Sequence, residues 1–184
     1  MSVRNLRSLF APKSIALIGA SRTPNSVGDV VARNLVGAGF EGAISFVNPR
    51  GGELHGRPLH ESVQALPETP ELAIIATPPA PIPDLIAELG ARGTKAAVVL
   101  TAGFAEMGED GRALQQRMLE AAQPHTLRLI GPNCIGVLAP IAKVNASFAH
   151  RMAPAGRTAF VTQSGAVLTT VLDWASARGL GFSH

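Results

Sequence analysis

The sequence predicts an α/β protein built on a doubly wound parallel sheet. Three observations lead to that expectation. Short apolar runs of strand length alternate with longer amphipathic stretches, and each run ends in Gly, Pro, Asn or Thr. Three of the runs also lack an internal polar residue, as strands covered on both faces by helices require.

In chain order, the strands are expected at 14–18, 43–47, 72–76, 96–100 and 127–130, with helical patterns at about 27–36, 60–66, 83–91 and 110–122. The second helix is short. The third opens on Pro83, which suits a first turn because its missing N–H would have no helical partner there. Right-handed crossovers between such units wind the sheet in both directions. After Gly136 the rhythm changes, and the Ala- and Pro-rich stretch 138–156 is expected to be a linker or a functional loop. A sixth strand is expected at 158–162. It is followed by a helix that opens at Ser164 and Gly165, buries Val167, Leu168, Val171, Leu172 and Ala175, and ends near Gly179. One strand and one helix cannot bury their own apolar faces. The expected division is therefore 1–140 as a first domain, 141–156 as a linker or functional loop and 157–184 as the start of an incomplete second α/β domain, with the chain expected to be a fragment or part of a larger polypeptide.

Composition excludes several function classes. With 46% apolar and 16% charged residues among 184, the chain is too hydrophobic for disorder, and its apolar runs are far too short to span a membrane. The opening apolar run leads into a glycine turn rather than a small-residue cleavage site, so a cytoplasmic protein is expected. A single cysteine, Cys134, permits neither an intrachain disulfide nor a cysteine metal cage. The isoelectric point near 9.8 comes from a net charge of only +3 in a chain without tyrosine. Its basic residues are scattered, aromatics make up 4%, and no nucleic-acid partner is expected.

In an open parallel sheet, ligands bind beyond the carboxyl ends of the strands. After the first strand, Gly19-Ala20-Ser21 leads through Asn25 and Ser26 into a helix starting at Val27, whose free N–H groups suit a phosphate. A plain turn with Ser26 as helix cap would read the same way. The second strand ends in Asn48-Pro49-Arg50, where an NAD site would carry Asp or Glu; an arginine there suits a phosphate on the adenosine ribose, as in NADP or coenzyme A. Thr77-Pro78-Pro79-Ala80-Pro81 forms a stiff apolar wall, and Thr101-Ala102-Gly103 a small turn that admits a ligand to backbone amides.

Taken together, SIALIGAS, FVNPR, IATPPAP, VLTAGFAE, RLIGPNCIGVLAP and GRTAFVTQSGA, in this order and at this spacing, resemble the α-subunit part of the succinyl-CoA synthetase superfamily, specifically the NDP-forming acyl-CoA synthetases. The resemblance spans nearly the whole chain, and GPNCxG followed by a (T/S)xSG helix start is specific to the group. It implies a Rossmann-like CoA-binding domain followed by the start of a flavodoxin-like ligase domain. By that resemblance, coenzyme A is held by Gly19, Ser21, Asn25, Ser26, Val27, Arg50, Thr77, Pro78, Pro79, Thr101, Ala102 and Gly103. Ser164 and Gly165 correspond to a helix start that receives a phosphohistidine lying outside these residues. ATP or ADP with Mg2+ would enter only through an ATP-grasp domain or β subunit not in this chain, so the chain alone is expected to be inactive, and association with a second copy stays open. The alternatives are a stand-alone CoA-binding regulatory module, the equivalent domain of a protein acetyltransferase, or an NADP-dependent oxidoreductase, against which the missing G-x-G-x-x-G stands.

The remaining candidates have simpler readings. Cys134 is expected to be a small buried apolar residue. His55, His60, His125, His150 and His184 show no metal spacing, and Glu106, Glu109 and Asp110 fit a helix start by charge alone. No catalytic or metal-binding residue is assigned.

Overall fold

The computed structural model describes residues 3–184. After a short helix α1 (Leu6–Phe10), the chain forms β1 (Ser14–Ile18), α2 (Val27–Gly37), β2 (Ala43–Val47), β3 (Glu53–Leu54), β4 (Arg57–His60), β5 (Leu72–Ile75), α3 (Ile82–Arg92), β6 (Ala96–Val99), α4 (Glu109–Ala122) and β7 (Arg128–Ile130). Seven strands make one sheet in the order β3-β4-β2-β1-β5-β6-β7, parallel throughout except that β3 runs antiparallel to β4. The chain builds outward from β1 on one side, then returns to start again at β5 on the other. The switch between these directions lies between β1 and β5.

Side-chain alternation explains how one sheet supports two cores. Ile15, Leu17, Leu72, Ile74, Ala96 and Val98 point to the face covered by α1 and α2, where they meet Leu9, Val31, Ala32 and Leu35. Ala16, Ile18, Ala73, Ile75, Ala97 and Val99 point the other way, onto Ile82, Ile86 and Leu89 of α3 and Met118 and Ala122 of α4. Helix α3 shows the matching period, with buried residues spaced by four and three, and Gly93 ends it in a left-handed conformation at φ 98°. No helix among the described residues is long and apolar enough to cross a membrane.

The structure departs from the sequence expectations in four places. The helix expected at 60–66 is absent: β3 and β4 form a tight hairpin, and turns follow His60. Pro58 and Pro67 bracket the segment and leave too little chain for a helix. Val63 and Leu66 still bury themselves in the α3/α4 core, each from a turn. Second, the stretch 138–156 is not an unstructured connection. It holds most of the antiparallel pair β8 (Gly136–Ala139) and β9 (Val144–Ser147), which lies against α2 through Ala139, Val144 and Ala146. The buried polar residues of this pair satisfy each other: the Ser147 hydroxyl donates to Asn145 Oδ1 at 2.6 Å and accepts the Ala149 N–H at 3.2 Å.

Third, the strand expected at 158–162 lies earlier, as β10 (Ala155–Thr158), bridged among the described residues only to Phe182. The apolar residues beyond it stay outside the ladder, and Val161 is 90% exposed. Fourth, α5 (Gly165–Ser176) buries Leu172 and Ala175, while Val167, expected on its inner face, is exposed. Leu172 and Ala175 pack with Leu138, Ala149, Ala153 and Phe182, so the helix seats on the β8–β9 pair and the chain just after it.

One side chain fastens that pair to the main fold. Asn34 of α2 donates through Nδ2 to Ser147 O at 2.8 Å and to Ala149 O at 2.9 Å. Asn34→Ala leaves both carbonyls without that donor and is expected to destabilise the chain by about 1–3 kcal/mol. Urea unfolding measures this; an unchanged midpoint would show that the pair is held by its apolar contacts alone.

Candidate functional site

Four loops meet at the carboxyl edge of the sheet, beside the switch between β1 and β5. Gly19 leaves β1 at φ 92° and donates its N–H to Val47 O, as does Ala20. A Cβ at Gly19 would stand 2.5 Å from Ala76 O, so only glycine lets the backbone pass between the ends of β2 and β5. The turn that follows is built from local side-chain bonds. Ser21 Oγ accepts the Thr23 N–H at 3.1 Å, and Ser26 Oγ donates to Thr23 O at 2.8 Å and accepts the Asp29 N–H at 3.4 Å. Ser26 is thus the cap of α2. Asp29 in turn accepts the N–H of Asn25, the residue before the cap, at 2.9 Å, while the Ser26 N–H goes to Thr23 O. The N–H groups of Val27 and Gly28 then have no partner among the described residues. A Cβ at Gly28 would collide with Gly19 O, so the helix start is pressed directly onto the first loop.

The second loop is locked to the first by Asn48. Its Nδ2 donates to Ala20 O at 2.7 Å, while its Oδ1 accepts the Arg50 N–H at 2.9 Å. Arg50 itself is exposed, at the tip. Gly52 adopts φ 97°, and a Cβ there would lie 2.9 Å from Arg22 Nη1, which places the Arg22 guanidinium over this glycine. Below them, the largely buried Asp29 carboxylate meets Arg33 Nη2 at 3.2 Å and His55 Nε2 at 3.4 Å.

On the other side of β1, Thr101 Oγ1 donates to Thr77 O at 2.6 Å and ties the third loop to the fourth. Pro79 sits against Gly103, where an added Cβ would be 3.0 Å from Pro79 Cγ. The Gly103 N–H, expected to be open to a ligand, is already held by Glu106 Oε1 at 2.6 Å. That bond holds the Glu106 carboxyl below the usual carboxylate range.

Gly19, Ser21, Asn25, Ser26, Val27, Arg50, Thr77, Pro78, Pro79, Thr101, Ala102 and Gly103 therefore come from loops that share one edge. Ser164 and Gly165 lie elsewhere, on a cavity of about 890 Å3 bordered by the Gly131–Gly136 loop, Thr162, Gln163 and apolar residues that include Phe148, Phe160 and Leu168. Ser164 Oγ accepts the Val167 N–H at 3.3 Å, its own N–H goes to Thr162 Oγ1 at 3.1 Å, and Gly165 packs on Ile135. Arg22 and Asp29 were not singled out in the sequence, and His55 was weighed there only for metal spacing. A signal for Asp29 was present, since Ser26-x-x-Asp29 is a capping-box spacing with Asp in place of Glu.

Comparison with known proteins adds the following. Residues 13–140 match the family model described as a CoA binding domain, and residues 155–184 match the one described as a succinyl-CoA ligase like flavodoxin domain. The chain is 39% identical over 178 residues to acetate–CoA ligase [ADP-forming] I of Archaeoglobus fulgidus, covering 97% of this chain and 26% of that protein. It is 36% identical over 183 residues to the alpha subunit of acetate–CoA ligase [ADP-forming] I of Pyrococcus furiosus, covering 97% of this chain and 40% of that one. The dinucleotide-forming acetyl-coenzyme A synthetase 1 of Ca. Korarchaeum cryptofilum, solved with phosphate and ADP, superimposes with a TM-score of 0.91 at 34% identity over 97% of this chain and 38% of that one. The chain thus spans well under half the length of these relatives.

Cys134 borders the cavity, and its thiol donates to Val99 O at 3.3 Å. Burial pushes this thiol up to about 11. Because the thiolate is the nucleophile, iodoacetamide at pH 8 should modify Cys134 roughly 100-fold more slowly than a free cysteine, with the rate rising about tenfold per pH unit towards 11. Mass spectrometry of the labelled chain follows this; a rate already level near pH 8 would mean an activated thiol.

Proposed function

The chain belongs to the CoA binding domain family, and on that premise we propose that its carboxyl-edge loops bind coenzyme A as one segment of an NDP-forming acid–CoA ligase. The observation that carries the reading is the set of unpaired Val27 and Gly28 amides at the start of α2, with two arginines, Arg22 and Arg50, at the neighbouring loops and no carboxylate among residues 48–52, directly after β2. Backbone donors and the helix dipole suit a diphosphate, and guanidinium groups suit a phosphate on the ribose. Asn48, which stands where a dinucleotide site would hold a ribose with Asp or Glu, is occupied in joining the loops. The Thr77–Pro79 wall and Thr101–Gly103 turn would flank the pantetheine arm. The division at 1–140 and 157–184 follows the same reading.

In the whole protein, the reaction would interconvert acyl-CoA, ADP and phosphate with acid, CoA and ATP through a phosphohistidine. Ser164 and Gly165, at the start of α5, would meet that phosphohistidine with the helix dipole. An ATP-grasp domain or β subunit would supply ATP or ADP and Mg2+. The relatives' names, which specify ADP-forming acetate–CoA ligases, support this reading.

Titration calorimetry of the chain with CoA, dephospho-CoA and NAD tests the CoA site. CoA should bind more tightly than dephospho-CoA, and NAD should bind least. Arg50→Ala should weaken CoA by about 1.5–3 kcal/mol, the range for a lost hydrogen bond to a charged group. Tighter binding of NAD than of CoA would overturn the proposal, while an unaffected Arg50→Ala would remove Arg50 from it.

A further inference from the structure

Asp29 presents a physical problem. It is the third residue of α2, its side chain is only 13% exposed, and it lies in the same first turn as the amides proposed to meet a polyanion. A carboxylate so placed repels phosphate, and by charge alone its removal should tighten binding. Its bonding pattern points the other way. Oδ2 accepts the Asn25 N–H at 2.9 Å and faces Arg33 Nη2 at 3.2 Å, while Oδ1 faces His55 Nε2 at 3.4 Å across from the β3–β4 turn. Arg33 also reaches Asn25 Oδ1 at 3.4 Å. Asn25 is thereby held at both its backbone and its side chain.

That grip has something to hold. Asn25 stands at φ 62°, a left-handed conformation that asparagine adopts more readily than most residues but still at a cost, which the bonds around it offset. The direction in which the chain leaves Asn25 sets where the Val27 and Gly28 N–H groups point. We infer that Asp29 is a positioning residue for the phosphate-binding turn: its carboxylate fixes the Asn25 turn so that the Val27 and Gly28 amides face the ligand, and Arg33 offsets its charge. The inference rests on the reading that this edge binds CoA.

The two effects predict opposite signs, which makes the test decisive. Asp29→Ala removes both acceptor and charge, whereas Asp29→Asn keeps one oxygen as acceptor for the Asn25 N–H, removes the charge and turns the oxygen that faces His55 into an NH2 donor. In the 184-residue chain, calorimetry should show Asp29→Ala binding CoA about tenfold more weakly or worse, with Asp29→Asn within about threefold of the unaltered chain. Rescue by asparagine is the result that an electrostatic role does not give. Asp29→Ala binding as tightly as the unaltered chain, or more tightly, would overturn the inference, and so would equal losses in the two variants. Should Asp29→Ala fail to fold, amide NMR of the unaltered chain decides. On adding CoA, the Val27 and Gly28 amides should shift most while the Asn25 amide stays slow to exchange; an Asn25 amide that leaves Asp29 for the ligand would overturn it. No CoA binding by the unaltered chain would remove both this inference and the reading beneath it, whereas CoA binding indifferent to Asp29 removes only this one.

Discussion

Backbone meets backbone at the end of β1, and the candidate edge depends on that contact. Gly19 turns between Val47 and Ala76 with no room for a side chain, and Gly28 presses the start of α2 back onto Gly19. Four chain segments, the ends of β1, β2 and β5 and the start of α2, thus approach within main-chain contact at the point where the sheet changes direction. Without both glycines, α2 would stand off by at least a methyl group, and its free amides would face a different part of the crevice. Asn48 and Thr101 carry the arrangement outward to the neighbouring loops through side-chain bonds to Ala20 O and Thr77 O. The edge is therefore organised from its centre.

The rigidity of that centre comes from beneath. Alternate residues of β1, β5 and β6 fill two separate cores, and nearly all are inaccessible to solvent. Each fully buried aliphatic side chain there contributes about 1.5–3 kcal/mol relative to exposure. The strands have little freedom to shift, so loops only a few residues long hold their geometry.

How much of this was legible depended on whether a pattern was local. The parallel strands announced themselves because Ile15, Ala73, Ile74, Val98 and their neighbours form uninterrupted apolar runs bounded by turn residues. The pair β8–β9 did not, since its inward positions are the small Ala139 and Ala146 with a single Val144, and two of its buried residues, Asn145 and Ser147, are polar. Val63 and Leu66 imitated one turn of helix by their spacing of three, and only the prolines on either side argued against it. At the candidate site, residues directly after each strand were readable from position alone. Arg22, Asp29 and His55 were not, because their meeting depends on where the β3–β4 turn comes to rest beside α2, which no periodicity encodes. Val167 was misjudged for a related reason: an apolar stripe marks the side that a helix prefers to bury, and here the available surface covers only part of it.

The two bonds from Asn34 have a mechanical consequence. Ser147 and Ala149, which receive them, belong to the same short piece of chain on which Leu172 and Ala175 rest. Helix α2 and helix α5 are thus braced against one strut, with no slack tether between them. An insertion within 141–156 would then act less like a longer leash than like a lengthened beam, changing the angle at which the second helix stands to the first.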